Sequence, residues 1–350
     1  MGVFVFLPLV LPLTAWPVAR LAEQRLHPRT ATRLLAAVAG VSAVCSTLCL
    51  GLLMIVGTAQ LPGNPLPDSW SDPDVRAAVP YDEIAGRAAI PALLAVLVSC
   101  AVAAWRQARV RRRTAGALAG LPPTSVAVLP DRTPYAYALP GGRGSGRGNK
   151  RGNKRGNGRE GGRGDGPGNG RRDGRGNGRR NGRGRVVVST GMLAGLGSAE
   201  RRALFAHERA HLNGRHHRHL LTVHLAARAN PFLRPLRTAV AYTAERWADE
   251  EAAAEVGSRR TVARAIGRAA LLAPRAPAAT LPALAAVGPV PRRVAALMRP
   301  APVGRAWPPV CTAAGLAAWG AAFGTTVSAL SSANSAVTLY LVLHAATTSV

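Results

Sequence analysis

The sequence predicts a mainly α-helical, multi-span membrane protein carrying a cytoplasmic α+β domain. Three observations point there. Nearly half of the 350 residues (48%) are hydrophobic while the formal net charge is +28, so apolar and basic residues must be segregated along the chain. Apolar stretches close to span length end in arginine clusters. Between them lie short β-branched runs and then long segments whose apolar, histidine and carboxylate positions repeat at helical spacing. The four cysteines, Cys45, Cys49, Cys100 and Cys311, all sit in apolar segments, which argues against a disulfide framework or a cysteine metal site.

Residues 1–105 read as a membrane domain with three spans. Residues 3–19 are apolar but hold Pro8, Pro12 and Pro17 and lack a basic leading region; they are expected as a short kinked span, with a signal peptide as the alternative. Arg20, Arg25, Arg29 and Arg33 follow, with only Glu23 against them. Residues 34–59 form the clearest span, long enough for a hydrocarbon core of about 30 Å. Residues 60–87 are rich in proline and acid, including Asp68, Asp72, Asp74, Asp82 and Glu83. The third span, 88–105, ends in Arg106, Arg109, Arg111, Arg112 and Arg113. The positive-inside rule then places the 20–33 loop and the chain after Arg106 in the cytoplasm of a multi-pass cell-membrane protein. In 306–350 a fourth span is expected over 310–330, while Ala336 to Ala346 looks too short to cross and is expected to pack on the bundle or lie in the interface.

The middle region, 106–305, is expected to be the cytoplasmic domain. Ser125–Leu129, Tyr135–Leu139 and Arg185–Thr190 have strand composition. Ser198, with Glu200 in the first turn, is the expected N-cap of the next helix. Leu220 to Phe232 is apolar enough to touch the membrane surface. A helix is expected from near Pro235 to Gly257, another capped by Ser258 and running towards Leu272, and a short one over Arg292–Met298. Residues 141–185 are a Gly/Arg/Asn run with 15 basic and three acidic residues, expected to be a disordered insert in a hairpin. Three readings stay open for it: a neutral solvated expansion, contact with anionic lipid, or nucleic-acid binding. No aromatic residue interleaves its charges, which disfavours base stacking.

The chemistry centres on Phe205-Ala206-His207-Glu208-Arg209-Ala210-His211, an HExxH sequence within a helical segment. On a helix, His207 and His211 share a face and can hold one metal ion, while Glu208 faces the water beside it. Catalytic zinc takes three protein ligands and keeps one position open. About 34 residues on comes Glu245-Arg246-Trp247-Ala248-Asp249, where Glu245 and Asp249 share a helix face. Glu245 can complete the shell, and Asp249 can accept the second N–H of a ligand histidine. Tyr242, three residues before Glu245, could reach a tetrahedral oxyanion, with simple packing as its other reading. His216, His217 and His219 offer either a second metal site or spare ligand set, or a polar, partly exposed helix surface; the latter is expected.

The runs Val186–Leu193, Ala199–His211 and Glu245–Asp249 together resemble the BlaR/MecR family of membrane-embedded zinc metallopeptidases, and the HExxH and ExxAD elements are shared with the HtpX and CAAX-protease group. The resemblance covers about Pro134 to about Gly267. It implies a zincin-like domain with one Zn²⁺ per chain on His207, His211 and Glu245, Glu208 as general base and Asp249 behind the ligands. Nothing after the last apolar span resembles the penicillin-binding sensor domain of BlaR/MecR proteins. The activity expected on these grounds is peptide hydrolysis by zinc-activated water on a protein or peptide substrate. By the resemblance, that substrate is a cytoplasmic repressor of BlaI/MecI type or, by the HtpX analogy, damaged membrane protein. The alternative of a different class is a non-catalytic, membrane-anchored protein that binds nucleic acid or lipid through its insert.

Overall fold

The computed structural model describes residues 7–59, 82–117, 124–141, 184–273, 290–302 and 311–348. Residues 60–81 of the expected acidic loop, almost all of the 141–185 insert and the proline loop from Pro274 lie outside them, while the loop's last residues, 82–87, are helical instead. Three described helices are long and apolar enough to cross a membrane: Pro28–Thr58, Ile84–Thr114 and Gly315–Ala345.

The described part of the N-terminal segment is kinked, its prolines dividing it into α1 (Leu7–Val10), a 3₁₀ turn (Leu11–Thr14) and α2 (Ala15–Arg25). It is held to the next helix where the Ser46 hydroxyl donates to the Pro8 carbonyl at 2.7 Å. Next comes α3 (Pro28–Ala59), opened by Pro28 in a first turn that lacks N–H partners anyway, with His27 Nδ1 accepting the Arg29 N–H. The helix α4 (Asp82–Ala117) lies against it. Where they cross, a Cβ on Gly57 would stand 2.3 Å from the Gly86 carbonyl carbon, so this approach requires glycine on both helices.

Three short strands follow: β1 (Val126–Leu129), β2 (Ala136–Leu139) and β3 (Arg185–Ser189). They pair in the order β1-β3-β2, β1 parallel and β2 antiparallel to β3, with Leu139 opposite Arg185. Val186, Val187 and Val188 are fully buried, so β3 is the central strand its β-branched run suggests. After α5 (Thr190–Ala194) comes α6 (Ser198–Asn213). Its N-cap is Gly197 rather than Ser198, and the Glu200 carboxylate accepts the Gly197 N–H at 2.8 Å. The helix starts one residue earlier than expected because Glu200 supplies the capping oxygen.

The remaining elements are α7 (His216–Ala229), α8 (Arg234–Val256), α9 (Arg259–Leu272), α10 (Val290–Leu297) and α11 (Ala313–Thr348). The end of α8 at Gly257, in the left-handed region with φ +74°, and the Ser258 cap on the Thr261 N–H match the sequence reading. α11 differs. Instead of a span ending at 330 and a separate short segment, one helix runs to Thr348. Its polar middle returns hydroxyls to its own backbone, Thr325 to Ala321 and Ser332 to Ser328, so those residues cost little in an apolar helix.

α8 joins two cores. Its first half contributes Leu236, Ala239 and Val240 to a cluster with α2, α3, α7 and Ala318 of α11. Its second half contributes Ala252 and Ala253 to a cluster with α6, α9 and Leu297 of α10. The Leu220–Phe232 stretch is accordingly packed through Leu220, Val223 and Ala226 into the first core.

Candidate metal centre

Helix α6 presents His207 and His211 one turn apart, and α8 crosses it to bring Glu245 between them. His207 Nε2 lies 3.1 Å from His211 Nε2, and each is 3.5 Å from a Glu245 carboxylate oxygen. One ligand atom from each of the three residues falls within 4.8 Å of the others. Four bonds of about 2.0–2.1 Å in a tetrahedron hold neighbouring ligand atoms roughly 3.3 Å apart. The spacing therefore fits zinc. Two imidazole nitrogens facing each other next to a carboxylate also form the donor set that zinc prefers. His217 stands at the HExxHxxGxxH spacing of another zinc-peptidase class, yet it is outside the group.

Asp249 is fully buried and faces His207 Nδ1 at 3.1 Å, off the line of a good hydrogen bond. That is the place expected for it behind the ligands. Glu208 is buried beside the ligands. Burial raises its carboxyl to about 7, with His207 opposing this and Glu245 adding to it; the Ala138 backbone amide of β2 bonds to it and pulls it down. Tyr242 is also buried, but its ring is covered by the Arg292 guanidinium at 4.1 Å and its hydrogen-bonding neighbour is Arg246. Among the described residues no hydrogen bond joins it to His207, His211 or Glu245.

Two further residues matter, one that the sequence reading did not single out and one that it assigned to a partly exposed surface. Arg293 of α10 reaches between the carboxylates, its Nε and Nη2 donating to Asp249 at 2.9 and 2.6 Å, while Nη1 lies 2.8 Å from Glu245 Oε2. Burial alone would raise both carboxyls; Arg293 and the histidines outweigh it, holding Asp249 below the usual range and Glu245 well below. The readable signal was an arginine among Val290, Val294 and Leu297 on the apolar face of a short helix.

The second is His216. The expected exposed surface is corrected here, for His216 is 1% exposed and its Nδ1 lies 2.8 Å from His211 Nδ1. With a metal on His211 Nε2, the His211 Nδ1–H would donate to His216, which would set the tautomer. Arg215, at φ +50°, breaks the helix and turns His216 inward. A Cβ on Gly214 would meet the His216 ring at 2.4 Å, so this turn needs its glycine. Replacing His216 with Phe is expected to weaken metal binding by about 10- to 100-fold, and His216→Asn, which keeps an acceptor, to recover part of it. Chelator competition measures both, and equal affinities for Phe and wild type would remove this role.

Trp247 backs the arrangement. Its ring lies 4.4 Å from His216, and the Arg29 and Arg33 guanidinium groups of α3 sit over it at 5.5 and 5.2 Å. The long apolar helix α3 thus reaches Trp247 behind the candidate site.

Residues 176–226 match the profile of peptidase family M48. The match takes in β3, α6 with its HExxH and most of α7, and stops before Glu245. No curated protein and no solved structure matches the chain. In this stretch the chain is similar to the family M48 zinc metallopeptidases, which supports a membrane-associated metallopeptidase acting on protein or peptide substrates.

Proposed function

We propose that this protein is a membrane-embedded zinc metalloendopeptidase whose site faces the cytoplasm. The observation that carries the reading is the convergence of His207, His211 and Glu245 ligand atoms beside a buried Glu208. Zinc, when bound, supplies Lewis-acid polarisation of the scissile carbonyl and a water acidified to a pKa of about 7. Glu208 takes the proton from the attacking water at its carboxylate and hands it to the leaving amine. His207 and His211 hold the metal as neutral imidazoles, their second nitrogens facing Asp249 and His216. β2 is an edge strand whose Ala138 amide meets Glu208, so an extended substrate segment can add beside it and bring its peptide bond to the base.

The more specific proposal is regulatory cleavage of a cytoplasmic repressor of BlaI/MecI type, as the BlaR/MecR resemblance implies. A second reading, clearance of damaged membrane protein, is favoured by the direct contact of α3 with α8, including the Thr32–Thr243 hydroxyl pair at 3.0 Å. A site next to an apolar helix of span length supports this reading.

The deciding experiment is metal content of the detergent-purified protein beside His211→Ala and Glu245→Ala. About one zinc per chain is expected in the wild type and none in either variant. No metal in zinc-resupplied wild type would overturn the proposal.

A further inference from the structure

A second group of polar side chains lies away from the metal centre, where α4 passes α7. The Cys100 thiol donates to the Leu225 carbonyl at 3.7 Å, and Arg111 is the foremost charge acting on His217, so the two helices run antiparallel along this contact. Ala103, Gln107, Val110, Arg111 and Thr114 form the covered stripe of α4 at helical spacing. Within it, Gln107 Nε2 and both Nε and Nη2 of Arg111 are buried without a hydrogen-bond partner among the described residues. Buried polar atoms are paired in native proteins, and covered guanidinium N–H groups without an acceptor, as here on a half-buried arginine, are a costly exception. The charges acting on His217 are those of Arg111, Arg218, His219 and Arg215, with no carboxylate among them. No described acidic side chain pairs with Arg111. The missing partner is therefore an anion with several acceptor oxygens.

The position narrows the choice. These donors sit at the end of the apolar run of α4, next to Arg106, Arg109, Arg112 and Arg113, four exposed arginines, with the Arg109 guanidinium over the Trp105 ring at 5.2 Å. A tryptophan with arginines beyond it is the pattern of a helix leaving the hydrocarbon for the headgroup layer. Basic pockets between membrane helices at that depth take lipid phosphates. We propose that Gln107, Arg111 and His217 form a binding site for the phosphate group of an anionic membrane phospholipid. The planar Arg111 fork offers two parallel N–H bonds to phosphate oxygens, and Gln107 and the neutral His217 ring add one each. Burial and then Arg111 push the His217 ring down to about 4, so it donates to a phosphate from one nitrogen at neutral pH.

The test uses the full chain in neutral detergent, with phosphatidylglycerol, phosphatidylcholine or inorganic phosphate added, read by native mass spectrometry and by thermal melting. The wild type is expected to retain phosphatidylglycerol in preference to phosphatidylcholine and to melt higher with it. Arg111→Leu is expected to bind phosphatidylglycerol about tenfold more weakly, and to melt no lower than wild type without lipid because an unpaired buried charge has gone. Arg112→Ala removes the same charge from an exposed neighbour and is expected to change binding by less than about twofold. Wild-type affinity in Arg111→Leu, or an equal loss in Arg112→Ala, would overturn the site. If Arg111→Leu does not fold, Gln107→Leu decides: weakened lipid binding supports the site and unchanged binding overturns it. An equal melting shift from inorganic phosphate would overturn the lipid assignment and leave a free-phosphate site. Metal content is expected to be the same in every variant, which separates this result from the fate of the peptidase proposal.

Discussion

Glu208→Gln is expected to keep its metal and to lower peptide hydrolysis by about two to four orders of magnitude. The amide fills the same volume, and the group that could hold the metal is His207, His211 and Glu245, without Glu208. It cannot accept a proton from water. The two effects should separate cleanly: equal zinc content by metal analysis, and loss of cleavage of an unstructured protein substrate. A variant that still cleaved at the wild-type rate would show that the base lies elsewhere. One that lost zinc would place Glu208 among the ligands.

The second large effect is expected at Arg293. Arg293→Ala leaves Asp249, fully buried, and Glu245 without their shared cation. Removing one partner of such a buried ion group costs about 3–5 kcal/mol. Arg293→Lys keeps the charge but loses the two-pronged geometry, so its loss should be smaller. The structure adds a condition. Zinc bound at Glu245 would restore positive charge next to the orphaned carboxylates, so the deficit should be larger in chelator than in zinc. Thermal melts of wild type and both variants in the two buffers measure this. Equal melting of wild type and Arg293→Ala in chelator would mean that the arginine is structurally neutral.

The grouping of His207, His211 and Glu245 was legible because helical periodicity turns spacing into geometry: His207 and His211, like Glu245 and Asp249, stand four positions apart and share a face wherever the helix goes. The strand set and the Gly257–Ser258 junction were readable for similar local reasons. Arg293 was not, because its partner Asp249 is 44 residues away and the pairing is set by how α10 docks on α8. His216 was discounted because Arg215, His217 and Arg218 around it look like a solvated surface. The left-handed Arg215 resets the helical phase, and no periodicity argument anticipates that. α11 was divided at its serines because hydropathy counts a hydroxyl as polar even when it bonds to its own helix.

Because α8 is rooted in one core and carries Glu245 into another, while His207 and His211 ride on α6, the ion would act as a rivet between two bodies. Detergent that loosens the helices around Leu236 and Val240 should then loosen the grip on the ion as well, and chelation should soften the bundle in return. A fragment freed of its apolar helices would strip α8 of half its packing. The candidate metal centre and the apolar helices are therefore expected to melt as one cooperative unit, with the composition of the surrounding lipid a variable in how tightly an ion would be held.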